Sequence, residues 1–418
     1  MRPYHGPSTR GVDCSTLTGK VMCGYQGWFT APEDGSGRGW RHYSAAGHFK
    51  PGFAGIDLWP DVSELEAEER YVTPFRHKDG RQAQVFSSHN RKTVLRHFQW
   101  MQQYGIDGVF LQRFGVETLD PKDLRHCNTV LAHCCEGANS YGRCYAVMYD
   151  LTLLPEGGTG FVVADWKLLV DRMQLGKDPR DIAYLRHKGK PVVAVWGIGF
   201  NDGRKYSLAE CERLIDFFKN DERYGGYTVL VGVPTGWRTL NSDSGNDFAL
   251  HRIIAKADIV SPWTVGRYRS LKEVEEHARL RWKPDWQWCR AKGKEYLPVV
   301  FPGFSWHNQH SGALDEIPRL KGRFLWKQHL EAKRSGATMI YEAMFDEMDE
   351  GTAIFKCTND PPAGDSGFLT LEGLPSDHYL WLTGMGRKLL RGEIDASEEP
   401  PPRKAGDSVR RPCMPPQS

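Results

Sequence analysis

The chain has 418 residues, 40% hydrophobic and 26% charged, a balance that folds around a large buried core. Its 55 basic and 52 acidic residues leave a net charge of +3, and no basic block or stripe supplies a nucleic-acid footprint. No run approaches the ~18 consecutive apolar residues of a membrane-spanning helix, so membrane partners are not expected.

Residues 1–20 read as an N-terminal extension. Met1-Arg2-Pro3-Tyr4-His5 lacks the apolar core of a signal peptide, which leaves a cytoplasmic protein or an exported one whose signal has been removed. Short β-branched runs then alternate with amphipathic, charge-rich segments. Strands are expected at 21–27, 107–113, 144–150, 191–197, 227–233, 257–262, 296–302 and 337–344, each a near-continuous apolar run of the kind buried on both faces of a parallel sheet. Between them, 91–104 places Val94, Phe98 and Met101 on one stripe, and 207–220 opens on a Ser N-cap before Leu208, Leu214 and Phe217. Segments 270–280 and 322–335 have the same character.

Eight strand–helix units close a parallel sheet into a barrel, so the expected fold is a single α/β domain, a (β/α)8 TIM barrel, over 21–392. An open doubly wound sheet is the competing architecture, but no GxGxxG follows any strand. Residues 28–90, rich in Gly, Pro, His and aromatics, break the rhythm as a long loop insertion after strand 1, expected over the barrel mouth. The Pro-rich stretch 393–418 reads as a disordered tail.

Barrels of this kind carry reactive side chains at the C-terminal ends of their strands. Those ends supply Tyr25, Gln26 and Trp28, then Gln112 and Arg113, then Tyr149 and Asp150, then Trp196. Trp237, Trp263, Phe304 and Trp306 follow. Flat aromatic faces beside polar groups suit sugar rings, whose C–H faces bury while their hydroxyls hydrogen-bond. Tyr25, Gln26, Trp28, Arg113, Asp150, Trp196, Trp263, Trp306 and Asp346 are therefore candidate substrate contacts. Each has a plainer reading: an aromatic can be core, and Asp150 with Arg113 can be a structural ion pair.

After strand 8 comes Asp346-Glu347-Met348-Asp349-Glu350-Gly351-Thr352, four acids in five residues. Alone, such a run is a solvated acidic turn. Beyond the last strand of a barrel it places Glu347 and Glu350 where a turn gives them one face, and glycoside hydrolysis requires two carboxyl groups flanking the bond. Crowding also raises one of the two, as a general acid requires. Glu347 and Glu350 are the candidate catalytic residues.

The run Phe345-Asp346-Glu347-Met348-Asp349-Glu350-Gly351-Thr352 resembles the F-N-E-W-H-E-G-T signature of glycoside hydrolase family 99 and of the family 71/99-like proteins. Gly24-Tyr25-Gln26-Gly27-Trp28-Phe29 is similar to the aromatic first-strand motif of that group. The resemblance implies an endo-acting α-mannosidase that retains anomeric configuration, with Glu347 as the base assisting the sugar 2-hydroxyl and Glu350 as the acid. Met348, Asp349 and Asp346 depart from the Trp, His and Asn of the signature.

The leading expectation is a glycosidase that degrades an α-linked oligo- or polysaccharide with no cofactor and no metal. A catalytically inactive carbohydrate-binding barrel and a metal-dependent hydrolase using the same acids are the alternatives. The ten cysteines form no CxxC pair and match no zinc spacing; Cys23 and Cys144 fall in apolar runs, and disulfides at Cys127, Cys134 or Cys135 are left open.

Overall fold

The structure, a computed structural model, describes residues 1–404. Eight parallel strands surround the core: β1 (Val21–Tyr25), β2 (Gly108–Phe114), β3 (Cys144–Asp150), β4 (Lys190–Trp196), β5 (Thr228–Val233), β6 (Ile259–Pro262), β7 and β8 (Ile340–Glu342). β7 is in two pieces, Glu295–Tyr296 and Val299–Val300. Its first piece pairs with β6 and its second with β8, while the ladder between runs β6-β5-β4-β3-β2-β1-β8. The seventh strand thus stands at both ends of the ladder and closes it. Pro298 lies at the switch, where a residue without an N–H interrupts pairing at least cost, yet its carbonyl still accepts from Tyr341 N (3.0 Å).

Every residue of β1, β3, β5 and β6 is buried, which explains why these runs read as apolar without alternation. The helices fall where the stripes place them. Arg91–Tyr104 starts on Asn90, whose side chain accepts from Lys92 N, and stops on left-handed Gly105. Leu208–Asn220 opens on a capping box between Ser207 and Glu210. The helix expected at 270–280 starts at Leu271, as Ser270 caps it, but continues through a π-turn to Ala291. Other helices were given no range from the sequence, among them Pro121–Tyr141, Thr159–Met173 and His378–Arg391, the last of which packs on Arg91–Tyr104 and Arg323–Arg334.

The insertion 28–90 carries an antiparallel hairpin, Tyr71–Arg76 with Gln82–Val85. It docks on the loop after β8 through bridges Pro60–Cys357 and Arg76–Ala363 and through the aromatic cluster of Phe49, Trp59, Phe75 and Phe368. Residues 393–404 of the expected tail lie along the barrel: Glu398 pairs with Lys327 and Arg334, and Arg403 with Asp377. Residues 405–418 lie outside the described residues. No helix among the described residues is long and apolar enough to cross a membrane.

Candidate active site

The acidic turn after β8 is built by its own first and last residues. Asp346 is fully buried and accepts from two backbone N–H groups at the end of β1, Gln26 N at 2.7 Å and Gly27 N at 2.8 Å. Gly27 is left-handed (φ 63°), and a Cβ there would meet Val130 at 2.7 Å, so the chain can present that N–H only as glycine. The turn then folds back as Ala353 N donates to the Glu347 carbonyl (2.8 Å). Gly351, also left-handed, supplies the reversal. Arg319 reaches the carbonyls of Gly351 and Ala353, and Met348 O accepts from Asp57 N in the insertion.

So fixed, the turn delivers Glu347 and Glu350 to one cavity of about 500 Å³ at the C-terminal ends of the strands. Glu347 is 3% exposed and accepts on both oxygens, from Gln26 Nε2 (2.6 Å) and from Thr352 Oγ1 (2.7 Å). Glu350 is half-buried beside the Trp306 indole. Burial, then the Asp349 charge, pushes the Glu350 carboxyl up to about 7. Burial also pushes Glu347 well above the usual carboxylate range, with the Glu350 and Asp349 charges adding to it. The donors on both oxygens of Glu347 oppose that rise.

Asp349 is buried and faces away from the cavity lining, with Oδ2 3.0 Å from His42 Nδ1. His42 in turn stacks on Trp28, ring centroids 3.8 Å apart. The insertion thus supports the pair from behind, through His42 and Asp57. Among the described residues of 28–90, Trp28 alone lines the cavity.

Gln26, Trp28, Asp150, Trp196, Trp263 and Trp306 line the cavity with the two glutamates. Burial raises Asp150 to about 6. Trp196 packs edge-on to Trp263 (5.4 Å, 78°) and fills space that a side chain at residue 232 would occupy, since a Cβ on Gly232 would lie 2.3 Å from its ring. The polar atoms Gln26 Oε1, Gln112 Oε1, Trp28 Nε1 and Trp196 Nε1 have no protein partner.

Three expected contacts stand elsewhere, and the two-residue period of a strand accounts for two of them. Tyr25 points outward, its hydroxyl 2.8 Å from His97 Nδ1, while Gln26 faces in. Arg113 points outward into a bidentate pair with Asp165, both contacts at 2.6 Å, while Gln112 faces in. Asp346 spends both oxygens on backbone N–H groups and offers none to a ligand. Sequence reading passed over Gln112, Phe114, Phe200, Asp202, Arg267 and Arg269 as contacts, although all line the cavity. Gln112 and Phe114 stand two apart on β2 and share its inward face; the others come from loops that carry no periodic signal.

The acids whose oxygens converge at ligand-like spacing, among the described residues, are Glu275, Glu331 and Glu398 on the outside of the barrel, not those of the turn. Lys327 pairs with all three.

No family model matches the chain, and no curated protein matches it. Among solved structures it is similar to the GH99 endo-alpha-mannosidase from Bacteroides thetaiotaomicron, with a TM-score of 0.64, 16% identity, and 90% of this chain and 99% of that chain covered. A second structure of that enzyme, in complex with BIS-TRIS-Propane, gives 0.64, 16%, 90% and 98%. A glycoside hydrolase-like protein follows at a TM-score of 0.52, 13% identity, and 82% and 98% coverage. At such identities the likeness establishes the fold: this chain has a GH99-like barrel.

Proposed function

We propose that the protein is a glycoside hydrolase whose working pair is Glu347 and Glu350. The observation that carries this reading is the delivery of two carboxyl groups, both raised by burial, to one aromatic-walled cavity at the C-terminal strand ends. In this role Glu350 gives its proton to the leaving glycosidic oxygen and later takes one from water. Glu347, ionised and oriented by Gln26 and Thr352, draws the proton from the attacking oxygen. Trp28, Trp196, Trp263 and Trp306 offer ring faces for sugar C–H surfaces, and the unpartnered Gln26, Gln112 and indole atoms match sugar hydroxyls.

The finer reading is an α-linked, mannose-containing oligo- or polysaccharide cut internally. It is supported by the kept Glu347/Glu350 pair of the signature motif and by the fold shared with a protein named endo-alpha-mannosidase. Glu350→Gln keeps the shape and removes the acid. Hydrolysis of α-linked manno-oligosaccharides, followed by product chromatography and anomeric NMR, is expected to fall ~10²–10⁴-fold in kcat/KM. Turnover unchanged by the substitution would remove Glu350 from the mechanism. Tight glycan binding without turnover by the wild type, across a broad panel, would instead favour the inactive binding barrel.

A further inference from the structure

On the opposite face of the barrel, residues 9–15 cross the bottoms of the strands as a strap. Thr9 N–H donates to the Asn139 carbonyl (2.8 Å), Val12 N–H to Gly142 O (2.9 Å), and Arg186 N–H to Cys14 O (2.7 Å). The contact is backbone on backbone: a Cβ on Gly11 would lie 2.3 Å from Gly142 O. The strap therefore holds Cys14 in a fixed place, and β3 holds Cys144, whose N–H donates to Asp107 O (2.8 Å). Between the two, Sγ stands 2.8 Å from Sγ, across 130 residues of sequence. This is the one sulfur–sulfur contact seen among the described residues, where all nine cysteines are free thiols. Cys127, considered from the sequence, instead turns its thiol to Glu117 (3.3 Å).

The two thiols differ in access. Cys144 is fully buried at the start of its strand, whereas Cys14 is half-buried and borders a separate surface cavity of about 480 Å³. A small oxidant can reach Cys14 through that cavity, and Cys144 can be reached only by Cys14.

We propose that Cys14 and Cys144 form a redox-active pair that closes into a disulfide between the strap and β3 on exposure to a small-molecule disulfide. Cys14, as thiolate, attacks one sulfur of the oxidant, whose S–S bond breaks and releases one thiolate. Cys144 then attacks the Cys14 sulfur; the mixed S–S bond breaks, and the Cys144 proton passes to the departing sulfur, which leaves as a second small thiol. Two protein thiols are oxidised, and one small disulfide is reduced to two thiols. Because both backbones are already pinned, closure needs side-chain adjustment and no rearrangement of the chain. The link would tie the N-terminal extension to the barrel's stable end, far from the glutamates, so it acts on stability and leaves the cavity alone.

The test uses the full chain and glutathione disulfide. After acid quench, unfolding and alkylation, mass spectrometry of the digest is expected to show the Cys14 and Cys144 peptides joined, lighter by two hydrogens than their sum, and separated again by dithiothreitol. Cys144→Ser should trap glutathione on Cys14, and Cys14→Ser should leave Cys144 unmodified. The thermal midpoint should rise on oxidation of the wild type and not of Cys14→Ser. Alkylation of both thiols after oxidation, a link between other cysteines, or a stable glutathione adduct on wild-type Cys14 would each overturn the proposal.

Discussion

Two of the places where this barrel buries charge are handled in opposite ways. Outside β2 and β3, Arg113 and Asp165 are nearly inaccessible, but each fork of the guanidinium meets a carboxylate oxygen at 2.6 Å and Asn128 takes a further N–H (2.8 Å). Beyond β8, four acids crowd one turn, and among the described residues none is paired with an Arg or Lys. A buried ion that meets its counter-ion holds two elements together. Buried carboxyls left with one another keep their protons to unusually high pH, the property a proton-transfer site requires. Both clusters stand at strand ends, and the partner decides which is structural.

Four measurements can break or sharpen that contrast. The largest effect is expected at Glu347→Gln, which keeps the side-chain shape and removes the base. Steady-state kinetics should show a ~10²–10⁴-fold loss in kcat/KM with the unfolding midpoint little changed. The double variant with Glu350→Gln should be scarcely worse than either single one, since the pair acts as a unit. A large loss of stability in Glu347→Gln would move the turn into the structural class.

Arg113→Ala should do the reverse. Leaving Asp165 buried without its cation is expected to cost about 3–5 kcal/mol in denaturant unfolding, with kcat per folded molecule retained. Loss of kcat in a fully folded sample would return Arg113 to the site.

The third test is pH. Burial and the Asp349 charge raise Glu350 from the ordinary 4.5 to about 7, so the acid is loaded below that value and activity should fall as pH rises through it. The same upward shift favours the protonated folded state. Its contribution to stability, with those of Asp346 (3.8 to about 7) and Asp150 (3.8 to about 6), is full near pH 4 and is lost as pH rises to 7. Unfolding followed across pH 4–8 should therefore show a decline that Glu350→Gln makes shallower. An identical slope in the variant would mean that Glu350 titrates normally.

Smallest is Trp306→Ala. This ring is 38% exposed at the cavity edge, packed on Phe304 and His310, and its removal should weaken binding by about 1 kcal/mol, read as a several-fold rise in KM at constant kcat. A fall in kcat would show that the Trp306 indole also tunes Glu350.

Much of this molecule was legible in one dimension. Eight apolar runs separated by amphipathic segments determined a closed parallel barrel, because strands buried on both faces must be apolar throughout and their crossovers must be half-polar. Asn90, Ser207 and Ser270 marked three helix starts, because a cap is a local event between a side chain and the N–H groups beside it. The position of the acidic run after the last strand singled out Glu347 and Glu350.

The tertiary structure decided what each strand end faces. One residue of parity turns Gln26 and Gln112 inward and Tyr25 and Arg113 outward, and apolar runs without alternation carry no mark of that parity. It decided the fate of Asp346, whose oxygens are filled by N–H groups 320 and 319 residues away in sequence. It brought together Cys14 and Cys144, which no spacing rule links. Local structure follows from neighbours along the chain and is written there; a partner across the barrel is chosen by packing, and only the folded chain contains it.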